Sequence, residues 1–231
     1  MFKKILTAIG IGGAAIAPTS AQASDNPYKE AEANFIYNLL FCDQPALFKA
    51  DHKGVLTPPW DALFSEKLDF DAIAIIAKDK TQESRVRMLA FNALRLAKKD
   101  VPKKELLATI IEVRLPAGLD TLAVFTDGGA RYINQSGKII VVEGTPNAFE
   151  NEIRNVIEAS KPIVAAIGPW DKDRLPAPKK GNIRMTFLVS DGLYFGEGPM
   201  DAMQREKMAA PLITSATSLL MKLVAKTTNS E

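Results

Sequence analysis

The chain has 231 residues, of which 47% are apolar and 24% are charged, and its formal net charge is +2 at pH 7. This composition supplies enough apolar material for one good core. The small net charge gives no electrostatic reason to expect a nucleic acid or an anionic membrane as partner. With one cysteine in the chain, no internal disulfide can form, so packing alone must hold the fold together.

The first 23 residues have the three parts of a secretory signal peptide. Lys3 and Lys4 provide a basic start, residues 5–17 form a short apolar run, and small residues follow. The apolar run is too short, and too rich in Gly and Ala, to span a bilayer comfortably. We therefore expect cleavage between Ala23 and Ser24 and a periplasmic or secreted mature protein without a membrane span. Cleavage removes two lysines and no acidic residue, which leaves the mature chain formally neutral.

Residues 24–101 are predicted to form a helical portion. Apolar residues recur at spacings of three and four in segments 28–42, 60–64, 69–78 and 82–99. Residues 46–59 are expected to form a loop up to the second of these helices. The first helix is expected to turn Ala31, Phe35, Leu39 and Cys42 toward the core.

The third and fourth of these helices make a pair, joined by a short connection. The segment 71–99 resembles one unit of a HEAT-type helical repeat, and no second copy occurs in the sequence. A solenoid needs several units to bury its faces, so the pattern predicts a helical hairpin only.

From residue 102 onward the period changes from that of a helix to that of a strand. Segment 111–115 alternates apolar residues with Glu112 and Arg114 and is predicted to be a half-exposed strand. Segment 119–143 is predicted to be a three-stranded meander, because Asp127-Gly128 and Gly137 are typical of tight turns. Segment 183–190 and a short return strand through residue 195 complete the predicted sheet, and residues 196–199 are expected to be a sharp break.

Two helices are predicted to cover one face of this sheet, over residues 147–166 and 200–226. Pro162 is expected to kink or end the first of them, and the second is expected to be interrupted or to restart at Pro211. The fold class is therefore α+β, with an antiparallel sheet of five or six strands. The predicted divisions are a signal peptide at 1–23, a helical portion at 24–101 and a sheet domain at 102–231. The last two are either separate units or together one compact unit.

Candidate catalytic groups are few. Asp127 and Asp191 each precede a glycine at a strand end, and at one rim of the sheet they could form a carboxylate pair for acid–base chemistry. The competing interpretation, which we prefer, is that Asp favours such turns because its side chain forms hydrogen bonds with the nearby backbone.

Cys42 and His52 are the only residues of their types in the sequence. A catalytic Cys42–His52 dyad is the alternative to a structural role, but Cys42 occupies a core position typical of an inert thiol. We predict no metal and no cofactor.

Four aromatic residues are the best candidates for a binding surface: Tyr132, Trp170, Tyr194 and Phe195. Tyr and Trp near strand faces are common in recognition surfaces, although they also cover sheets without any function. Segment 168–181 is a long irregular piece, and such a loop is either mobile or functional. The leading hypothesis is an exported, non-catalytic binding or protein-interaction module whose partner is a protein or a small ligand. The alternatives are a carboxylate-dependent hydrolase and, if the leader is not cleaved, a cytosolic assembly scaffold.

Overall fold

The computed structural model describes residues 25–52 and 54–228. The predicted signal peptide and its cleavage site at Ala23 lie outside the described residues. Within the described part, helices are combined with a six-stranded antiparallel sheet, so the α+β class is confirmed. None of the described helices is long and apolar enough to cross a membrane.

The elements follow one another with helices at both ends and the sheet between them. The helices are α1 (Ala31–Leu40), α2 (Pro45–Asp51), α3 (Trp60–Phe64), α4 (Phe70–Lys78), α5 (Ser84–Leu96), α6 (Glu150–Ala166), α7 (Met200–Met203) and α8 (Ala209–Thr228). The strands are β1 (Leu106–Arg114), β2 (Leu119–Phe125), β3 (Ala130–Ile133), β4 (Ile139–Val142), β5 (Asn182–Val189) and β6 (Gly192–Pro199).

The sheet has the strand order β4-β3-β2-β1-β5-β6. The predicted meander forms β2, β3 and β4, and its glycines take the positive φ angles that such turns require, +90° at Gly128 and +83° at Gly137. β5 then pairs with the far side of β1, so that β1 lies in the middle of the sheet.

Both faces of the sheet are covered by helices of the described part of the chain. Helices α1 to α5 pack on one face, where Tyr37, Phe91 and Ile110 belong to the same apolar cluster. Helices α6 and α8 pack on the opposite face, as predicted, and Val156 and Leu212 lie there with sheet residues. Each fully buried Leu, Ile or Phe side chain contributes roughly 2 kcal/mol.

The helical portion differs from its prediction in two places. Residues 46–59 are not all loop, because α2 begins at Pro45 and buries Phe48 against the first cluster. Proline is favoured in the first turn of a helix, so Pro45 both ends the segment after α1 and begins α2. The inward face of α1 is only partly as predicted: Leu39 and Cys42 are buried and Phe35 is half-buried, but Ala31 is exposed. Ala33 and Tyr37, which were not predicted to face inward, are buried.

Three predicted breaks in the second half are displaced or absent. Pro162 lies inside α6 on its exposed side, and the helix continues because Ile163 and Val164 are buried beyond it. Residues 196–199 are not a break but the last part of β6. The final helix is interrupted before Pro211, between α7 and α8, and Pro211 itself lies in the first turn of α8, where no backbone N–H is needed.

Candidate functional site

The irregular segment 168–181 is anchored to the body of the protein along its length. The backbone N–H of Trp170 donates a 2.7 Å hydrogen bond to the carbonyl of Leu193 on β6. Further along, Arg174 is held by helix α1 and the residues after it, and the backbone N–H of Ala177 donates to the Asp25 carboxylate. The segment therefore forms a fixed wall over the edge of the sheet.

Arg174 makes the deepest of these attachments. Its Nε donates a 2.7 Å hydrogen bond to Oδ2 of Asp43, and its Nη2 donates a 2.8 Å bond to Oδ1 of Asn38. The guanidinium carbon lies 4.0 Å from the ring centroid of Phe41, and only 5% of the side chain is exposed. Burial is the largest single effect on Arg174 and lowers its pKa, but the charges of Asp43, Tyr37 and Glu112 and the hydrogen bond to Asp43 together outweigh burial, so the net pKa is raised.

Beneath this segment, a row of charged side chains crosses three strands on the face that α1 covers. Glu112 is opposite Arg184 in the β1–β5 register, and Arg184 is opposite Glu197 in the β5–β6 register. The prediction that Glu112 faces solvent is wrong: the residue is fully buried, and the Tyr37 hydroxyl donates a 2.7 Å hydrogen bond to its Oε1. Burial raises the pKa of Glu112, and the hydrogen bond from Tyr37 limits the rise.

A pocket of about 610 Å³ opens between this wall, the start of α2, the end of α5 and strand β6. We call it the Trp170 pocket. Leu96, Trp170 and Leu193 supply its apolar lining, and Asp43, Arg95 and Lys172 are among its polar residues. Its volume is within the usual range for small-molecule sites.

The tryptophan is fixed by neighbours on several sides. Its ring makes an edge contact with Phe195 at 5.1 Å between centroids, and its indole Nε1 donates a 3.0 Å hydrogen bond to the carbonyl of Asp173. The ammonium of Lys172 lies 5.4 Å from the ring centroid. A rigid aromatic wall of this kind is a common anchor for a bound ligand.

Three residues that line the Trp170 pocket each have a buried side-chain atom without a hydrogen-bond partner in the described part of the chain: Nε of Arg95, Nη1 of Arg174 and Oδ1 of Asp43. Buried polar groups are nearly always paired, so a cluster of unpaired ones is unusual. Burial lowers the pKa of Arg95, and the charge of Asp191 partly offsets this effect. The pocket thus combines an apolar wall with hydrogen-bonding capacity that the protein does not use.

The structure brings together two of the four predicted binding residues. Trp170 and Phe195 are in contact at the pocket. Tyr194 is fully buried on the opposite face of β6, where its hydroxyl donates to Asp191. Tyr132 is also buried on that opposite face, on β3, four strands away in the sheet order.

The candidate carboxylates Asp127 and Asp191 lie at one end of the sheet, after β2 and β5, with β1 between them. Two strand spacings separate them, about 10 Å. Each carboxylate forms hydrogen bonds with groups near it and none with the other carboxylate. Asp127 accepts hydrogen bonds from the backbone N–H of Ser84 at 2.7 Å and of Gly129 at 2.9 Å. Asp191 accepts from the Tyr194 hydroxyl and from the backbone N–H of Lys104.

Cys42 and His52 have separate environments. Cys42 is fully buried, its thiol contacts the carbonyl of Leu39, and burial raises its pKa strongly. The His52 ring packs on Trp60 at 4.1 Å between centroids, and its Nδ1 lies 2.7 Å from the carbonyl of Phe48. Within residues 25–52 and 54–228, no three His, Cys, Asp or Glu side chains are grouped so that they could hold a metal ion.

A larger groove of about 750 Å³ lies between α6 and the α4–α5 connection. Some of its charged residues form ion pairs, among them Arg131 with Glu143 and Arg85 with Glu83. None of the described residues that line this groove has a buried side-chain polar atom without a hydrogen-bond partner, in contrast to the lining of the Trp170 pocket.

Sequence reasoning found Trp170 and the segment around it but missed Arg95, Arg174 and Asp43. The sequence of α5 does not distinguish Arg95 from the other arginines of that helix, and Arg174 lies in an irregular segment without any period. Comparison of the chain with protein-family models, curated proteins and solved structures gives no match.

Proposed function

We propose that the chain is an exported, non-catalytic binding protein and that the Trp170 pocket is its ligand site. The observation that carries the proposal is the combination of a fixed indole wall with buried donors and an acceptor that lack protein partners. Leaving such groups buried and unpaired costs free energy, and a ligand that pairs with them recovers it. A pocket built in this way favours binding over a purely structural role.

The hydrogen bonding and burial of the candidate reactive groups favour binding over catalysis. The Asp127 carboxylate accepts two backbone hydrogen bonds, which hold a turn and a helix start in place. Cys42 is buried with a raised pKa, so its thiolate is disfavoured. Export is supported by the signal-peptide pattern in the sequence, with its basic start and short apolar run.

Native mass spectrometry tests the ligand and the location together. The full chain is expressed with its leader, and protein from the non-cytoplasmic fraction is measured as wild type, Trp170→Ala and Trp60→Phe. We expect a chain beginning at Ser24 that carries an added small mass in the wild type and in Trp60→Phe but not in Trp170→Ala.

The controls separate loss of the site from loss of the fold. Trp60 is the other tryptophan and packs on His52, outside the lining of the pocket, so Trp60→Phe controls for replacement of a large aromatic residue. Circular dichroism of Trp170→Ala must match the wild type. An added mass that persists in Trp170→Ala would refute the site, and a full-length chain confined to the cytoplasm would refute export.

A further inference from the structure

Arg95 stands out among the arginines that line the pocket. No carboxylate in the described part of the chain lies within 4 Å of its guanidinium, whereas Arg174 is paired with Asp43 at 2.7 Å. The Arg95 side chain is partly buried, and even partial removal of a guanidinium from water is costly without a paired anion. Asp191 acts on Arg95 only through its charge, and that carboxylate is already bonded to the Tyr194 hydroxyl.

The Arg95 guanidinium is also held in one orientation. Its Nη2 donates to Oδ1 of Asn92, and Nδ2 of Asn92 in turn donates a 2.7 Å bond to the carbonyl of Cys42. Nε is buried without a partner. A planar guanidinium fixed in this way is pre-organised for an oxyanion, because less side-chain freedom is lost on binding.

The rest of the pocket limits what such an anion can be. Leu96, Leu193 and the Trp170 ring offer an apolar surface beside Arg95. Asp171, Lys172 and Asp173 also line the pocket and are exposed, so this part of the rim carries more negative than positive charge and disfavours a ligand with several negative charges. The lining therefore favours one negative charge on an apolar body.

We propose that the Trp170 pocket binds a small organic monoanion, with its oxyanion on Arg95 and its apolar body against Trp170. This inference depends on the proposed function, because it assigns the ligand class of that same site. A carboxylate and a phosphate ester share the chemistry that Arg95 recognises. The carboxylate carries the single charge that the flanking aspartates tolerate.

Fluorescence titration in the Trp60→Phe background tests the proposal, because Trp170 is then the only tryptophan in the chain. The probes are acetate, hexanoate and phenylacetate, with hexanamide and phenylacetamide as uncharged counterparts and phenyl phosphate as the phosphate arm. We expect hexanoate and phenylacetate to change Trp170 emission and the amides to bind at least roughly tenfold more weakly, as loss of a charged hydrogen bond implies.

Two variants on the same helix supply the matched comparison. Arg95→Met should weaken phenylacetate binding by roughly tenfold or more, whereas Arg85→Met should leave it unchanged because Arg85 is paired with Glu83 outside this pocket. Wild-type binding should also weaken as salt concentration rises, a measurement that does not depend on the folding of any variant.

The possible outcomes distinguish this inference from the proposed function. Equal binding of an acid and its amide, tighter binding of phenyl phosphate than of phenylacetate, or no response to any probe would overturn the monoanion assignment. If an added mass were still lost in Trp170→Ala, the pocket would remain the ligand site with a different ligand class. If no ligand mass depended on Trp170, both the assignment of the pocket as the ligand site and the assignment of a monoanion as its ligand would be refuted.

Discussion

Nε of Arg174 donates a 2.7 Å hydrogen bond to Oδ2 of Asp43, joining the irregular segment 168–181 to the chain just after α1. The two residues are far apart in sequence, and their ion pair closes one side of the Trp170 pocket. With 5% of the Arg174 side chain exposed, the pair is shielded from solvent on the arginine side. The shape of the pocket depends on this contact.

Replacing Arg174 should therefore destabilise the protein and release the segment. Arg174→Met leaves Asp43 without its partner in a mostly buried position, and breaking a buried pair typically costs about 3 kcal/mol. Urea unfolding should show this loss, and hydrogen exchange should increase in residues 168–181. Arg205→Met is the control, because Arg205 and Asp201 form an exposed pair and little change is expected. Equal stability of the two variants would contradict this account.

Glu112 should make the stability of the protein depend on pH. Burial raises its pKa in the native state above the unfolded value, so the native state keeps a proton that the unfolded state releases. The stability due to this group is full below the unfolded pKa of about 4.3 and is lost as pH rises from there toward the raised native pKa.

Glu112→Gln removes this titration and keeps a carbonyl oxygen for the Tyr37 hydroxyl. The stability of the variant relative to wild type should therefore increase between pH 4 and pH 7, measured by urea unfolding at several pH values. Glu158→Gln, at an exposed position of α6, should show no such trend. A pH-independent difference between Glu112→Gln and wild type would show that Glu112 does not titrate as described.

Asp127 should behave as a structural residue. Its Oδ2 accepts from the backbone N–H of Ser84 at the start of α5, so Asp127→Ala should cost about 1–2 kcal/mol, as loss of a helix cap does. Asp127→Asn keeps an acceptor oxygen and should cost less. Asp201→Asn, at an exposed position, serves as the control in the same unfolding assay. The hydrolase alternative would instead require turnover that Asp127→Asn abolishes without loss of stability.

Gly192→Ala should disturb the Trp170 wall. A Cβ at Gly192 would lie 2.8 Å from Cβ of Pro169, so the segment that carries Trp170 must move. In the Trp60→Phe background, Trp170 emission should shift to the red as the indole becomes more hydrated. Gly168→Ala is a matched control on the same segment, because no atom lies within 4 Å of its added Cβ. Unchanged emission in Gly192→Ala would mean that the close approach is tolerated.

Local sequence patterns were sufficient to predict much of the fold. Asp127-Gly128 and the glycine at 137 predicted the turns of the meander because a positive φ is a local requirement. The helix over residues 147–166 was also predicted, and its apolar residues Ile153 and Val156, which recur at helical spacing, are buried. These features depend only on residues a few positions away, so they can be predicted from the local sequence.

The site could not be predicted in the same way, because it is built from contacts distant in sequence. Glu112 alternates with apolar residues, as an exposed position does, and it is buried only because Tyr37 and Arg184 meet it. Arg174 lies in a segment without any period, so nothing local indicates that its side chain is buried against α1.

The most direct test of the central claim is the signal of the Trp170 indole N–H in a nitrogen–proton NMR spectrum. The chain has two tryptophans, so two indole signals are expected, and Trp60→Phe assigns them. On addition of the small-molecule fraction of a periplasmic extract, the account predicts that the Trp170 signal moves and the Trp60 signal does not. A Trp170 signal that stays in place while the fold is intact would contradict the claim that this pocket binds a ligand.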